Sequence, residues 1–181
     1  KLVFFRSKEE YRCAQIVELP TGDWAFSMLR QFLFDAYESV LLDALSKSAL
    51  EPVAATAEKI LKEEIYHLRH TDAWVRRLGL GTDESHRRMQ RALETLWPYT
   101  HQLFAPVPHE DLLVQAGYIP DLASIRSKWE EKVLPILEKC ELRVPDEAKS
   151  YPVSRHEHTP HLEVLLSEMQ VLTRMDPDAE W

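Results

Sequence analysis

Between Gly22 and Gly79 no glycine interrupts a run in which apolar residues recur every third or fourth position. That spacing is the period of a helix buried along one side, and it is incompatible with the two-residue alternation of a strand. The first segment, Trp24 to Ser46, follows Asp23, a residue type whose carboxylate accepts from the free N–H groups of a first helical turn. It carries Phe26, Met28, Leu29, Phe32, Leu33, Phe34, Tyr37, Val40, Leu41, Leu42 and Leu45 around nearly its whole circumference. A helix so apolar must be covered by neighbours on several sides. Its polar residues Gln31, Asp35, Glu38, Ser39 and Ser46 share one stripe. Taken alone, that stripe is the one expected to face solvent.

The second helix starts at Pro52, whose fixed φ suits a first helical position, and ends near Leu78 with Gly79 as its expected stop. A third is expected from Gly81-Thr82-Asp83 toward Phe104, with Met89, Leu93, Leu96, Trp97 and Phe104 inward and a kink at Pro98. Pro106, Pro108 and Pro120 bracket an irregular connection with a helical turn after Pro108. A fourth helix follows Asp121, carrying Leu122, Ile125, Trp129, Val133 and Leu137 inward, with a bend at Pro135. After a loop over Pro145 to Ser154, Thr159-Pro160 is expected to cap a last helix with Leu162, Leu165, Leu166, Met169 and Leu172 on one face. Only Leu2 to Leu19 offers any β-like alternation. The fold class is all-α, and 181 residues suit one domain over 1–181.

Charge and composition remove several functions. Thirty acidic against 22 basic residues give a net charge of −8, the wrong sign for a partner made of phosphates, so no nucleic acid is expected. Apolar runs such as Leu2 to Phe5 are far shorter than the ~18 residues of a membrane span. Cys13 and Cys140 stand 127 positions apart with no CxxC pattern, which fits a reducing cytoplasm and implies neither a disulfide framework nor a zinc finger. There is no glycine-rich phosphate loop and no nucleophile elbow. Residue 1 is Lys, so helices upstream of it are expected to be missing.

Glu64 is the most informative residue. On a wheel of 100° per residue, Val53, Ala57, Ile60, Leu61, Leu68, Val75 and Leu78 all fall within about 60° of it. A carboxylate at the centre of an apolar face must be paired, protonated or bound to a metal, because an unpartnered buried charge costs several kcal/mol or more. His67 follows at the i+3 position, completing Glu-x-x-His. That spacing presents one oxygen and one nitrogen ligand to a carboxylate-bridged di-iron or di-manganese centre in a helical bundle. A whole centre needs two such helices and two more carboxylates. This chain has one motif, with Asp35 or Glu38 as the candidate carboxylate from the preceding helix. The other reading is a core pair satisfied by an Arg, Lys or Tyr of a neighbouring helix. Two further groups stand out. His156, His158 and His161 have a spacing able to hold a transition metal, or to sit on a surface or at an interface. Arg76, Arg77, Arg87, Arg88 and Arg91 form the one dense basic cluster, suited to carboxylates or phosphates.

The blocks EEIYHLR (Glu63 to Arg69), WVRRLG (Trp74 to Gly79) with Gly81-Thr82, ESHRRMQRALETLWPYTHQLF (Glu84 to Phe104) and HEHTPHLEVLLSEMQVLTR (His156 to Arg174) resemble the C subunits of bacterial phenylacetyl-CoA 1,2-epoxidases along essentially the whole chain. The resemblance implies a ferritin-like helical bundle whose first helices are absent here. It implies a structural subunit without a cofactor of its own, paired with a related catalytic A subunit that holds the di-iron centre and is fed electrons by a separate reductase. The complex would convert phenylacetyl-CoA to its ring 1,2-epoxide during aerobic phenylacetate breakdown. Relatives carry the acid of the EEIYHLR block at the position of Glu63. Here Glu64 is acidic too, and that is what creates Glu-x-x-His.

On this reading Trp24, Phe26, Arg87, Arg88 and Arg91 are expected at or near an intersubunit surface. The competing reading is a catalytic ferritin-like oxidase or oxygenase whose own metal site uses Glu64, His67 and Asp35 or Glu38. A third is a module that binds coenzyme A through the arginine cluster.

Overall fold

In the computed structural model, which describes residues 3–106, 108–146 and 154–177, the described chain holds seven α-helices in this order: α1 (Trp24–Leu45), α2 (Glu51–Gly79), α3 (Asp83–Thr100), α4 (Glu110–Gln115), α5 (Leu122–Lys139), α6 (Pro160–Met169) and α7 (Val171–Met175). The described residues form no strand. The N-terminal lead, with its β-like alternation, makes 3-10 turns at Lys8–Glu10 and Gln15–Val17 instead.

The bundle is arranged around α1. Asp23 caps it by accepting from the Phe26 N–H at 2.9 Å. Its apolar circumference is met by α2, α3 and α5. Leu29, Phe32, Leu33 and Ala36 are wholly buried, as the all-round pattern requires. From α3 come Met89, Leu93, Leu96 and Trp97, and from α5 come Ile125, Trp129, Val133 and Leu137. Trp129 is the largest fully buried side chain, and its indole N–H donates to the Leu33 carbonyl at 3.0 Å. Trp97 and Phe104 pack on its ring with centroids at 5.5 and 5.3 Å. Burying an indole satisfies its area and its one donor together.

Four local expectations are corrected by the geometry. The polar stripe of α1 is not a solvent face, because Asp35 and Ser39 are buried and only Gln31 is exposed. Regular α-helix in α3 ends at Thr100, two residues past Pro98, and His101–Phe104 continues as a 3-10 turn. The last helix is interrupted at Gln170, and the expected single face does not hold: Leu162 and Leu166 are buried, while Leu165 within α6 and Leu172 beyond the break are exposed. Thr159 makes no side-chain cap, because its hydroxyl is committed to Glu18. The expected loop over Pro145 to Ser154 falls largely on residues 147–153, outside the described ones.

Gly79 also works differently from a stop signal. It is the last residue of α2, buried, and not in the left-handed region. A Cβ there would lie 2.8 Å from Cys140 Cβ and 3.3 Å from its sulfur, at the end of α5. Glycine is needed for close approach. Gly79→Ala is therefore expected to lose about 1–3 kcal/mol to overpacking, exceeding the gain of up to ~1 kcal/mol from helix propensity. Thermal unfolding of the variant should show a melting point lowered by several degrees.

Candidate functional site: an acid cluster between the first two helices

Because α1 and α2 lie side by side, the stripe holding Gln31, Asp35 and Glu38 meets the α2 face holding Glu64, His67 and Thr71. Asp35 is fully buried. One of its oxygens accepts from Gln31 Nε2 at 2.5 Å and the other from the Thr71 hydroxyl at 2.9 Å. Glu64 is 4% exposed. Its Oε2 lies 3.2 Å from His67 Nδ1, and its Oε1 is buried with no hydrogen-bond partner. The His67 side chain is 54% exposed and forms the outer edge of the cluster. Glu38 is half-buried at its rim.

Three carboxyl groups so close cannot all carry charge cheaply. Burial, and after it the neighbouring Asp35 and Glu38 charges, push Glu64 up to about 7, against the pull of the His67 hydrogen bond. Burial likewise raises Asp35, although the Thr71 and Gln31 donors oppose it. Glu38 is raised by burial and by the Asp35 charge. His67 is raised chiefly by its hydrogen bond to Glu64. The cluster thus holds a proton near neutral pH.

The structure places the four residues on the facing sides of α1 and α2 but brings only Glu64 and His67 into direct contact. No three of the four bring their donor atoms within 4.8 Å of one another, and the two candidates from α1 differ in depth. Asp35 is interior and engaged, while Glu38 stands at the edge. As a ligand set for two metals the cluster is half complete. The helices against the other sides of α1 bring no acid into the interior: the buried residues of α3 are Met89, Ala92, Leu93, Leu96, Trp97 and Thr100, and those of α5 are Ile125, Trp129, Val133 and Leu137. A groove of about 950 Å³ between α1, α2 and α5, floored by Phe32, Val40 and Leu68, is lined by none of the four.

The arginine cluster is largely answered by the chain's own groups. Arg76 pairs with Asp72 at 2.9 Å, Arg87 with Glu84 at 2.8 Å, and Arg88 with Glu84 at 2.7 Å and Asp23 at 3.3 Å. Arg77 lies over the Trp74 ring at 5.1 Å. Arg91 is exposed. Of the aromatic candidates, Trp24 is 51% exposed and meets Trp74 edge-on at 5.3 Å, and Phe26 is half-buried beneath Arg30. The three histidines do not converge, since His156 and His161 are exposed and only His158 is enclosed. Its neighbours, Cys13 and Glu18, are not among the residues that the sequence marks. They belong to a lead without periodicity, some 140 positions away, and no local signal points to them.

These features define an all-α bundle of the ferritin-like kind, carrying one half of a carboxylate–histidine ligand pattern between two adjacent helices. The family model described as "Phenylacetic acid catabolic protein" matches residues 1–181, and the chain belongs to that family. It is similar to the C subunit of the 1,2-phenylacetyl-CoA epoxidase of Escherichia coli (strain K12), with 35% identity over 182 residues, 99% of this chain and 73% of that protein.

The raised groups set a pH dependence with a definite sign. Glu64 is harder to ionise folded than unfolded, so its burden on the fold is absent at acid pH and grows as pH rises to about 7. His67, raised in the folded state, contributes stability that is present at acid pH and lost as pH rises through its folded value. Both effects weaken the fold toward alkaline pH. Glu64→Gln, neutral at every pH, is expected to flatten this slope between pH ~5 and ~8, as read from melting temperatures across that range.

Proposed function

We propose that this chain is the noncatalytic structural subunit of a multicomponent phenylacetyl-CoA epoxidase, supporting a related di-iron catalytic subunit that receives electrons from a separate reductase. The observation that carries this reading is the state of the acid cluster. Both Asp35 oxygens are occupied by hydrogen-bond donors, Glu64 is poised to hold a proton, and the elements opposite contribute tryptophan and aliphatic side chains where a metal centre would need two more carboxylates and a second histidine. Membership of the phenylacetic acid catabolic family and similarity to an epoxidase C subunit support the same reading. No helix among the described residues is long and apolar enough to cross a membrane, in keeping with a cytoplasmic assembly.

The exposed Trp24 with Trp74 behind it, Phe26 beside it, and Arg87, Arg88 and Arg91 one helix away are the residues proposed to meet the catalytic partner. Trp24 is the strongest of these, since a half-exposed indole with one edge already packed is the usual form of an interface anchor.

A second reading keeps one observation in its favour. The orphaned Oε1 of Glu64 leaves an acceptor that a cation would satisfy, and a di-iron centre built on Asp35, Glu38, Glu64 and His67 would make the chain catalytic. Co-expression of the full-length protein with the catalytic subunit of the same complex separates the two. The structural reading expects a stable mixed oligomer with iron confined to the partner, weakened by Trp24→Ala. About two irons bound by this chain and lost in Glu64→Ala would overturn it.

A further inference from the structure

A second constellation lies far from the acid cluster, where the first residues of the chain meet the last helices. Glu18 is buried, with one oxygen receiving the Thr159 N–H at 2.7 Å and the Thr159 hydroxyl at 2.9 Å. Its other oxygen, Oε1, lies 2.6 Å from His158 Nδ1 and 3.4 Å from Cys13 Sγ. The His158 side chain is 3% exposed, and its Nε2 lies 3.2 Å from the Tyr11 carbonyl. Cys13, Glu18 and His158 are the only group among the described residues in which three potential metal ligands bring their donor atoms within 4.8 Å of one another.

Proton bookkeeping decides what this arrangement requires. The Tyr11 carbonyl only accepts, so His158 Nε2 carries a hydrogen. Nδ1 then faces a carboxylate oxygen, which also only accepts, and something positive must stand between them. A proton does so, and so does a metal ion. We propose that Cys13, Glu18 and His158 form a site that binds a divalent ion of the zinc type through Sγ, Oε1 and Nδ1, with the fourth position open. Zinc takes this mixed sulfur, nitrogen and oxygen set. The outer contacts are those that ligands of such an ion need: a backbone carbonyl on the far nitrogen of the histidine, and donors on the free carboxylate oxygen.

The distances are near those of a tetrahedral ion, whose ligand atoms stand about 3.3–3.7 Å apart for bonds of ~2.0–2.3 Å. The sulfur–oxygen separation is already 3.4 Å. The Nδ1–Oε1 pair must part by roughly 0.7 Å from its 2.6 Å hydrogen bond when the ion replaces the proton between them. Cys13 is half-exposed, which leaves the fourth position to a water. The charges balance. One divalent ion enters, and two protons leave to solvent, one from the Cys13 thiol and one from between His158 and Glu18, so the buried net charge is unchanged. Burial and the Glu18 carboxylate hold the thiol protonated in the absence of an ion, pushing it up to about 12, and an ion shared by both groups removes that repulsion. Arg155 nearby favours the thiolate as well.

This site is independent of the acid cluster and of the function proposed above, and its role is to fasten residues 13–18 to the segment that leads into α6. The full chain, stripped of metal with a chelator, is titrated with Co²⁺ and then with Zn²⁺ as competitor. The expected result is one equivalent bound with a thiolate-to-cobalt charge-transfer band, displacement by Zn²⁺, two protons released per ion, and a raised melting temperature. Cys13→Ser, at a half-exposed position where the fold tolerates it, should abolish the band and weaken Zn²⁺ at least about tenfold. Absence of the band together with a melting temperature indifferent to Zn²⁺ overturns the proposal and leaves a proton as sole occupant. Binding undiminished by Cys13→Ser overturns it equally, because the ion then sits elsewhere.

Discussion

Everything in this bundle is organised by a helix that has no side free to waste. α1 is apolar around almost its entire circumference, so α2, α3 and α5 must each give it a face. Placing a helix at the centre removes most of its circumference from water, and a polar residue on the covered part must then be answered by a hydrogen-bond partner. Asp35 is the case that matters. Its burial is answered by the Thr71 hydroxyl from α2 and by Gln31 one turn before it on α1, while Glu64 stands within range of its charge and is raised by it. The acid cluster follows from a central helix that is not wholly hydrophobic.

Most of the helical architecture can be read from periodicity, and the reasons are local. Asp23, Thr82 and Asp121 each stand before a helix and accept from its first-turn N–H groups, as short polar caps do. The Glu64–His67 contact is also legible, because residues three apart on a helix are neighbours on its surface. What cannot be read is depth. Periodicity sees the angle of Glu38 and Asp35 but not which of them the neighbouring helix covers. The inward set of α2 shows the same limit: Ile60 shares a face with Val75, yet one is 41% exposed and the other wholly buried, because the second half of α2 has more bundle to lie against than the first.

Less regular stretches are opaque for another reason. Glu18 and Thr159 gain their meaning from a contact spanning 141 positions, and Cys13 joins it only through Glu18; such pairings leave no repeating trace. Thr159-Pro160 looks like an ordinary helix entry. Its hydroxyl has been drawn away by Glu18, and the helix begins without it. Similarly, Gly79 has the position of a stop signal but owes its identity to the Cys140 side chain arriving from α5. In both cases a long-range neighbour overrides the local meaning of the residue.

The meeting of residues 3–18 with residues 154–170 has an architectural consequence. Gln15 and Gln102 reach the backbone at Glu157, Gln170 reaches the carbonyls of Val3 and Arg6, and Arg155 bonds Leu103. These are polar links between remote stretches, laid over a core in which α1 meets α2, α3 and α5. Closing so large a loop costs entropy that nearer contacts do not. Residues 3–18 and 154–170 therefore hold each other in place over the bundle, and a cut through either stretch deprives the other of its partners.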